Sequence, residues 1–429
     1  MATNGTNAAD ILEGDDKNDT INGLGGNDTL EGKRGNDLLN GNSGNDTVDY
    51  AQANNAIVAN LVRGVVVSPI YGKASHLKVM PLGDSITAGR NRVNPIPGAY
   101  RNQLWADFSA DNLSLNFVGS QSNGPNSLGD RNHEGHPGWR IFRINDLFVT
   151  GSLDSYQPDV VLLGIGTNDT RTKSLARMSE DLGNLIDTIT EHYPNTQLLV
   201  SSIPPIDASI NGNTRSNKAD NFNNLLPDIV RDAQKQGKKV DFVDVGGSLS
   251  VNDLVSDGIH PTADGYKKMG DAWYNALVER DTLTGIENVT GTAYKDTLIG
   301  NTGANVIRGG GSKDILTGGG GSDTFVYKTA NEGADRITDF GGNDRFKFSA
   351  RGFGGGLVVG TELSTTEATT GVFVSGDNPT SLGTNANFLY STNTGILSFD
   401  EDGTGSHSAL NIAQLTGRPS LSSSQIFIT

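Results

Sequence analysis

Apolar positions follow two different rhythms along the chain, and the change of rhythm divides it into three segments. Between residues 14 and 49 an apolar side chain recurs at every ninth position: Ile21, Leu30, Leu39 and Val48. Each stands two residues after Asp19, Asp28, Asp37 or Asp46, within units such as G-L-G-G-N-D-T-L-E. The rhythm returns between 291 and 326, where Asp296, Asn305, Asp314 and Asp323 hold the equivalent places. This is the pattern G-G-x-G-x-D-x-U-x, which predicts a parallel β-roll of six-residue turns and three-residue strands. Residues 57–58 and 65–67 read as edge strands, followed by a linker to residue 75.

The middle of the chain alternates differently. Short apolar runs at 79–82, 115–118, 158–164, 197–203 and 240–245 read as buried strands. Stretches at 99–108, 175–192, 222–236 and 263–279 carry apolar residues at helical spacing. Strand–helix alternation predicts a mostly parallel sheet covered by helices on both faces. The expected fold class is therefore multidomain, an α/β unit over 77–280 flanked by all-β parallel β-roll segments at 1–76 and 281–429.

Composition sharpens this division. The 56 glycines of the 429 residues concentrate in the flanks. With 33 Lys+Arg against 49 Asp+Glu the net charge is −16, which excludes a basic nucleic-acid surface and favours a cationic ligand. There is no cysteine, hence no disulfide and no thiolate metal site. No apolar run is long enough to span a membrane. Residues 1–13 are polar and show neither the basic nor the apolar region of a conventional secretory signal.

In the repeats, glycines allow turns closed to other residues, so that carbonyl and Asp oxygens of neighbouring turns face each other. That donor set suits calcium. The expected calcium-facing residues are Asp19, Asp28, Asp37, Asp46, Asp296, Asn305, Asp314 and Asp323. Asn305 brings a neutral amide where the others bring a carboxylate, so a site using it is weaker or built on carbonyls alone. Both arrays resemble RTX (hemolysin-type) calcium-binding repeats. Residues 334–348 and 397–405 resemble the β-sandwich cap of serralysin-type proteins; Asp335, Asp339, Asp400 and Asp402 there read equally as ligands or as solvated loop acids. Residues 422–429, polar and then apolar, resemble the uncleaved C-terminal export signal of type I secretion substrates. These resemblances imply an extracellular protein that meets the type I secretion machinery and folds on calcium outside the cell.

The candidate chemistry lies in the central segment. In G-D-S at 83–85 a glycine turn ends a buried strand, and Ser85 is placed at the carboxyl edge of the sheet, where α/β folds bind ligands. In D-G-I-H at 257–260 the spacing lets Asp257 hold His260 Nδ1–H and leave Nε2 free for the Ser85 proton. Thr262 is placed to cap the last helix. G-T-N-D at 166–169 offers the Asn168 amide to an oxyanion, and Gly138, in H-E-G-H-P-G-W-R at 133–140, offers a backbone N–H. His133 and His136 read as loop residues rather than metal ligands.

Taken together, these blocks resemble the SGNH/GDSL hydrolase superfamily over 77–280, and the stretch E-G-H-P-G-W resembles its acetylxylan esterases. Gly119 is the lesser candidate for the second block. The resemblance implies a three-layer, flavodoxin-like sandwich with Ser85, Asp257 and His260 catalytic. It also implies Ser85 N–H, Gly138 and Asn168 as oxyanion donors, Asp84 as structural, and no active-site cofactor. The expected function is a secreted, calcium-stabilised serine esterase removing short acyl groups, acetyl first, from polysaccharide. Two alternatives are a lipolytic esterase, lysophospholipase or thioesterase of the same mechanism, and a calcium-binding surface protein with an inert hydrolase fold.

Overall fold

The computed structural model describes residues 1–71, 77–90, 94–366 and 371–429. The end of the expected linker, 72–75, lies outside them. The chain forms two compact units: Ile70–Val278, and Met1–Pro69 together with Glu279–Thr429.

In the Ile70–Val278 unit the Leu77–Gly83 strand is central, with Leu115–Phe117 and Asn132–Gly135 on one side and Val160–Gly164 on the other. Gln197–Ser201 and Val240–Val243 continue the sheet. All these pairs are parallel; the short Gln121–Ser122 strand is antiparallel, against Asn132–Gly135. Strand order thus reverses at Leu77–Gly83, which makes its carboxyl end the switch point of a doubly wound sheet.

Side chains alternate across the pleat. Met80, Leu82, Val161, Leu163, Leu198 and Val200 share a core with helices Ile141–Val149, Leu175–His192 and Asn213–Lys235. Helices Arg101–Ala110 and Ala263–Leu277 pack on each other, with Tyr100 against Trp273 and Phe108 edge-on to Tyr274. The Asn213–Lys235 helix starts earlier than its apolar spacing predicts, because its first two turns are polar and mostly solvated. The last helix ends at Leu277 rather than 279, since Val278–Thr284 leaves it to become a strand.

In the other unit the two flanking arrays, expected at 1–76 and 281–429, form one roll. Leu38–Asn40 pairs in parallel with the Val278–Thr284 strand, Leu39 opposite Leu283. Thr47–Asp49 pairs likewise with Asn288–Thr290, Val48 opposite Val289. Among the described residues one sheet runs through 13 strands and its companion through 8, each drawing strands from both ends of the chain. Ile21, Leu30, Leu39 and Val48 share one interior with Leu283, Val289, Leu298, Ile307 and Phe325. The segment that follows Pro69 and precedes Val278 is thus an insertion between two adjacent strands of this roll, Val65–Pro69 and Val278–Thr284. Entry and exit side by side are the geometry in which a domain insertion is tolerated.

Candidate active site and calcium ladder

Three strand ends and one helix start bring the candidate residues together. Gly83 closes its strand against the neighbouring one so tightly that a Cβ there would meet Gly164 O at 2.2 Å. Asp84 then caps a short helix, its Oδ1 accepting from Ile86 N at 2.9 Å. Ser85 begins that helix, and its Oγ lies 2.8 Å from His260 Nε2.

His260 Nδ1 lies 2.7 Å from Asp257 Oδ2. Asp257 Oδ1 accepts from the Ile259 and His260 N–H groups, both at 2.9 Å. Burial acts to raise the Asp257 carboxyl, but these hydrogen bonds outweigh it and hold the group below the ordinary carboxylate range. A charged Asp257 accepts a hydrogen bond from Nδ1–H, which leaves the Nε2 lone pair facing Ser85. Thr262 Oγ1 accepts from Gly265 N at 3.1 Å, fixing the start of the following helix.

The three expected oxyanion donors differ in state. Ser85 N–H and Gly138 N–H donate to no protein acceptor among the described residues. Gly138 sits in an exposed turn at φ +82°, a left-handed conformation suited to glycine. Its loop is pinned on both sides of the site: His136 N donates to Gly83 O at 2.8 Å, and Trp139 O accepts from Asn168 Nδ2 at 2.9 Å. Asn168 Nδ2 also donates to Asp84 Oδ2 at 3.0 Å. Its two amide hydrogens are therefore engaged in this state, and service to an oxyanion requires one of them to be shared. Burial, with Asp169 nearby, pushes the Asp84 carboxyl up to about 7.

His133 and His136 are spent inside the protein. His136 Nε2 lies 2.6 Å from Glu134 Oε1, and its ring stacks on Trp139 at 4.0 Å. With Arg143 over the indole as well, at 6.0 Å from the ring centre, Trp139 is a packed wall rather than a free stacking surface. Burial pushes His133 down to about 3, so it stays neutral. Gly119, the lesser candidate, would meet the His133 backbone at 2.3 Å with any Cβ and is a tight strand end.

In the roll, the aspartates form a ladder in which each N–H donates to the carboxylate of the next turn on the same side. Asp19 reaches Asp37, Asp28 reaches Asp46, and Asp296 reaches Asp314, each at 2.8 Å; Asn305 reaches Asp323 at 2.9 Å. The ladder crosses the insertion: Asp37 N donates to Asp281 Oδ1 at 2.9 Å and Asp46 N to Glu287 Oε2 at 2.9 Å. It also passes the last repeats, with Asp314 N on Asp335 at 3.0 Å and Asp323 N on Asp344 at 2.9 Å. Sequence reading missed Asp281, Glu287 and Asp344. For Asp281 and Glu287 the signal was present in R-D-T-L-T-G-I-E-N-V-T-G at 280–291, which keeps the aspartate, apolar and glycine places of a repeat.

The donors fit calcium at some rungs better than others. The second oxygens of Asp28, Asp37, Asp46, Asp314 and Asp335 are buried and have no partner. Burial and like-charged neighbours push Asp314 up to about 9 and Asp37 up to about 7, a cost that a divalent cation would remove. Asp296 instead accepts from Ile57 N and from Thr292, and Asn305 accepts from Asn301 N while donating to Glu287 O. The Asn305 amide thus bridges two turns by hydrogen bonds. Asp339 caps Gly318 and Gly319 N–H at 2.9 and 2.8 Å, a turn-closing role.

Residues 79–273 match the GDSL-like Lipase/Acylhydrolase family, and residues 4–39, 22–57, 290–325 and 329–348 match the RTX calcium-binding nonapeptide repeat. A multidomain esterase of Ruminococcus flavefaciens is 30% identical over 226 residues, covering 48% of this chain and 29% of its own. The chain thus spans less than a third of that relative's length. Among solved structures, a family 3 carbohydrate esterase of Clostridium thermocellum is 37% identical, covering 46% of this chain and 94% of its own, with a TM-score of 0.41. A family 3 carbohydrate esterase of Talaromyces cellulolyticus is 24% identical, with 47% and 95% covered and a TM-score of 0.41. The chain carries a GDSL-like lipase/acylhydrolase domain, inserted into a segment built of RTX calcium-binding repeats.

Proposed function

We propose that this chain is an extracellular, calcium-stabilised serine esterase that removes short acyl groups, acetyl foremost, from carbohydrate. The observation that carries the reading is the Ser85–His260–Asp257 relay, with contacts of 2.8 and 2.7 Å, beside two unengaged backbone N–H groups. In the proposed reaction Ser85 Oγ attacks the ester carbonyl and His260 Nε2 takes its proton. The Ser85 and Gly138 N–H groups, joined by Asn168, receive the oxyanion. Collapse expels the sugar alkoxide, which takes the proton back from His260, and water then releases the acyl group from Ser85 by the reverse path. Asp257 keeps the imidazole oriented and compensates its transient charge. Asp28, Asp37, Asp46, Asp314 and Asp335 would hold calcium, which would supply charge neutralisation and folding free energy to the roll.

The similarity to a multidomain esterase supports the reaction class, and the stretch His133 to Arg140 supports a carbohydrate substrate. The repeats support export by a type I route. No helix among the described residues is long and apolar enough to cross a membrane.

The test is kcat/KM across p-nitrophenyl esters of increasing chain length, with acetate release from acetylated xylan measured in parallel. The expected result is a maximum at acetate and a steep fall beyond about four carbons, since each added methylene must find apolar cover worth ~0.8 kcal/mol. A maximum at eight or more carbons would replace this reading with the lipolytic one.

A further inference from the structure

Two turns carry the chemistry of the inserted unit, and they come from distant parts of the chain. One, Thr167 to Thr170, holds Asn168. The other, Asp257 to His260, holds the acid–base pair. Between them stands a half-buried cation that the mechanism does not use. Arg215, in the first turn of the Asn213–Lys235 helix, donates from Nε to Thr170 Oγ1 at 3.0 Å and from Nη2 to Thr167 O at 3.2 Å. Its Nη1 donates to Asn211 Oδ1 at 3.0 Å. Asn211 Nδ2 in turn donates to Asp257 O at 2.9 Å and to Gly258 O at 3.3 Å.

All three nitrogens of the guanidinium are thus turned onto protein acceptors rather than toward a substrate. The contacts on one side are anchored: Thr167 and Thr170 are buried, and Thr170 Oγ1 itself donates to Thr167 O at 2.6 Å. Gly258 O also accepts from Asp207 N at 2.9 Å, so the far turn is held both by Asn211, the last residue of the short Ala208–Asn211 helix, and by Asp207, which caps it. A planar fork serving three acceptors in fixed directions is a task for arginine that a lysine ammonium does not reproduce.

We infer that Arg215 and Asn211 form a brace that sets the distance between the oxyanion turn and the acid–base turn, and that both are positioning residues for ester hydrolysis. The inference rests on the esterase reading above. A shift of about 1 Å between groups that must act together costs roughly 100-fold in rate, so such a brace acts on turnover more than on binding.

The test is steady-state hydrolysis of p-nitrophenyl acetate in millimolar calcium by wild type, Ser85→Ala, Arg215→Gln, Arg215→Lys, Asn211→Ala and the Arg215→Gln/Asn211→Ala double variant. Thermal unfolding reports whether each is folded. The brace predicts a fall in kcat of roughly 10- to 100-fold for each single variant, with KM held within about twofold. It predicts a double variant no slower than the slower single, because both cut the same link. Arg215→Lys is expected to behave like Arg215→Gln, and it serves in its place if the Gln variant does not fold. A folded Arg215 variant with wild-type kcat, or losses that multiply in the double variant, overturns the brace alone. Wild-type hydrolysis that survives Ser85→Ala overturns the esterase reading instead.

Discussion

Replacing His260 with alanine is expected to lower kcat for p-nitrophenyl acetate by roughly 10⁴-fold, about 5.5 kcal/mol of transition-state stabilisation, with the calcium-loaded fold unchanged. The size follows from what His260 does. It lies 2.8 Å from Ser85 Oγ and is the group that can take its proton, and a serine hydroxyl is a poor nucleophile without a base. The fold is expected to survive because the side chain is partly solvent-exposed and its ring contacts are polar, to Ser85 and Asp257. The backbone of its turn is held independently, through Asp257 Oδ1 and Asn211. Residual activity above the uncatalysed rate is expected from the Ser85 and Gly138 N–H donors. Asp257→Asn is expected to fall by a comparable factor, because an amide can present its N–H to Nδ1 and turn the imidazole proton toward Ser85. Steady-state kinetics on both variants, with near-ultraviolet dichroism as the fold control, checks this.

Removing calcium is expected to unfold the roll, and deleting residues 1–69 is expected to weaken calcium binding by the repeats that remain. Without a cation, Asp28, Asp37, Asp46 and Asp314 each leave a carboxylate oxygen buried and unpartnered. A site with a dissociation constant of 10⁻⁴–10⁻³ M, as in extracellular modules, contributes roughly 1.4–2.7 kcal/mol at about 10 mM calcium. About four such sites would supply roughly 6–11 kcal/mol, comparable with the whole stability of a domain. The deletion acts through the seam. It removes the partners of Val278–Thr284 and Asn288–Thr290 and uncovers Leu283 and Val289, now buried against the first array. It also takes away the Ile57 N–H that Asp296 accepts. Far-ultraviolet dichroism against chelator, and calcium titration calorimetry of full-length and truncated chains, measure both effects. Two independent arrays would give a truncated chain with unchanged affinity at its own repeats.

The candidate constellation was legible because each part is local. Asp257 and His260 are three residues apart, Thr262 caps the helix that follows, and Gly83 to Ser85 is a single turn. What lay beyond the sequence was how Asn168 spends its amide, since Asp84 and Trp139 reach it only through the fold. The nine-residue rhythm likewise disclosed the roll, because every unit repeats one turn and one strand. The seam stayed hidden because Leu39 and Leu283 are adjacent strand partners separated by the whole inserted unit, and periodicity carries no information across such a gap. The R-D-T-L-T-G stretch at 280–285 went unassigned, because it falls between the helix read over 263–279 and the array read from 291. Asn305 was read as a weak ligand from its place in the repeat; its hydrogen bonds to Asn301 and Glu287 depend on neighbouring turns.

The most direct test of the central claim, that Ser85 is an activated nucleophile, is covalent. The calcium-loaded protein is treated with a fluorophosphonate and mapped by peptide mass spectrometry. The account predicts one adduct, on Ser85, formed slowly or not at all in His260→Ala. An adduct on another serine, or an unmodified Ser85 in folded protein, would contradict it.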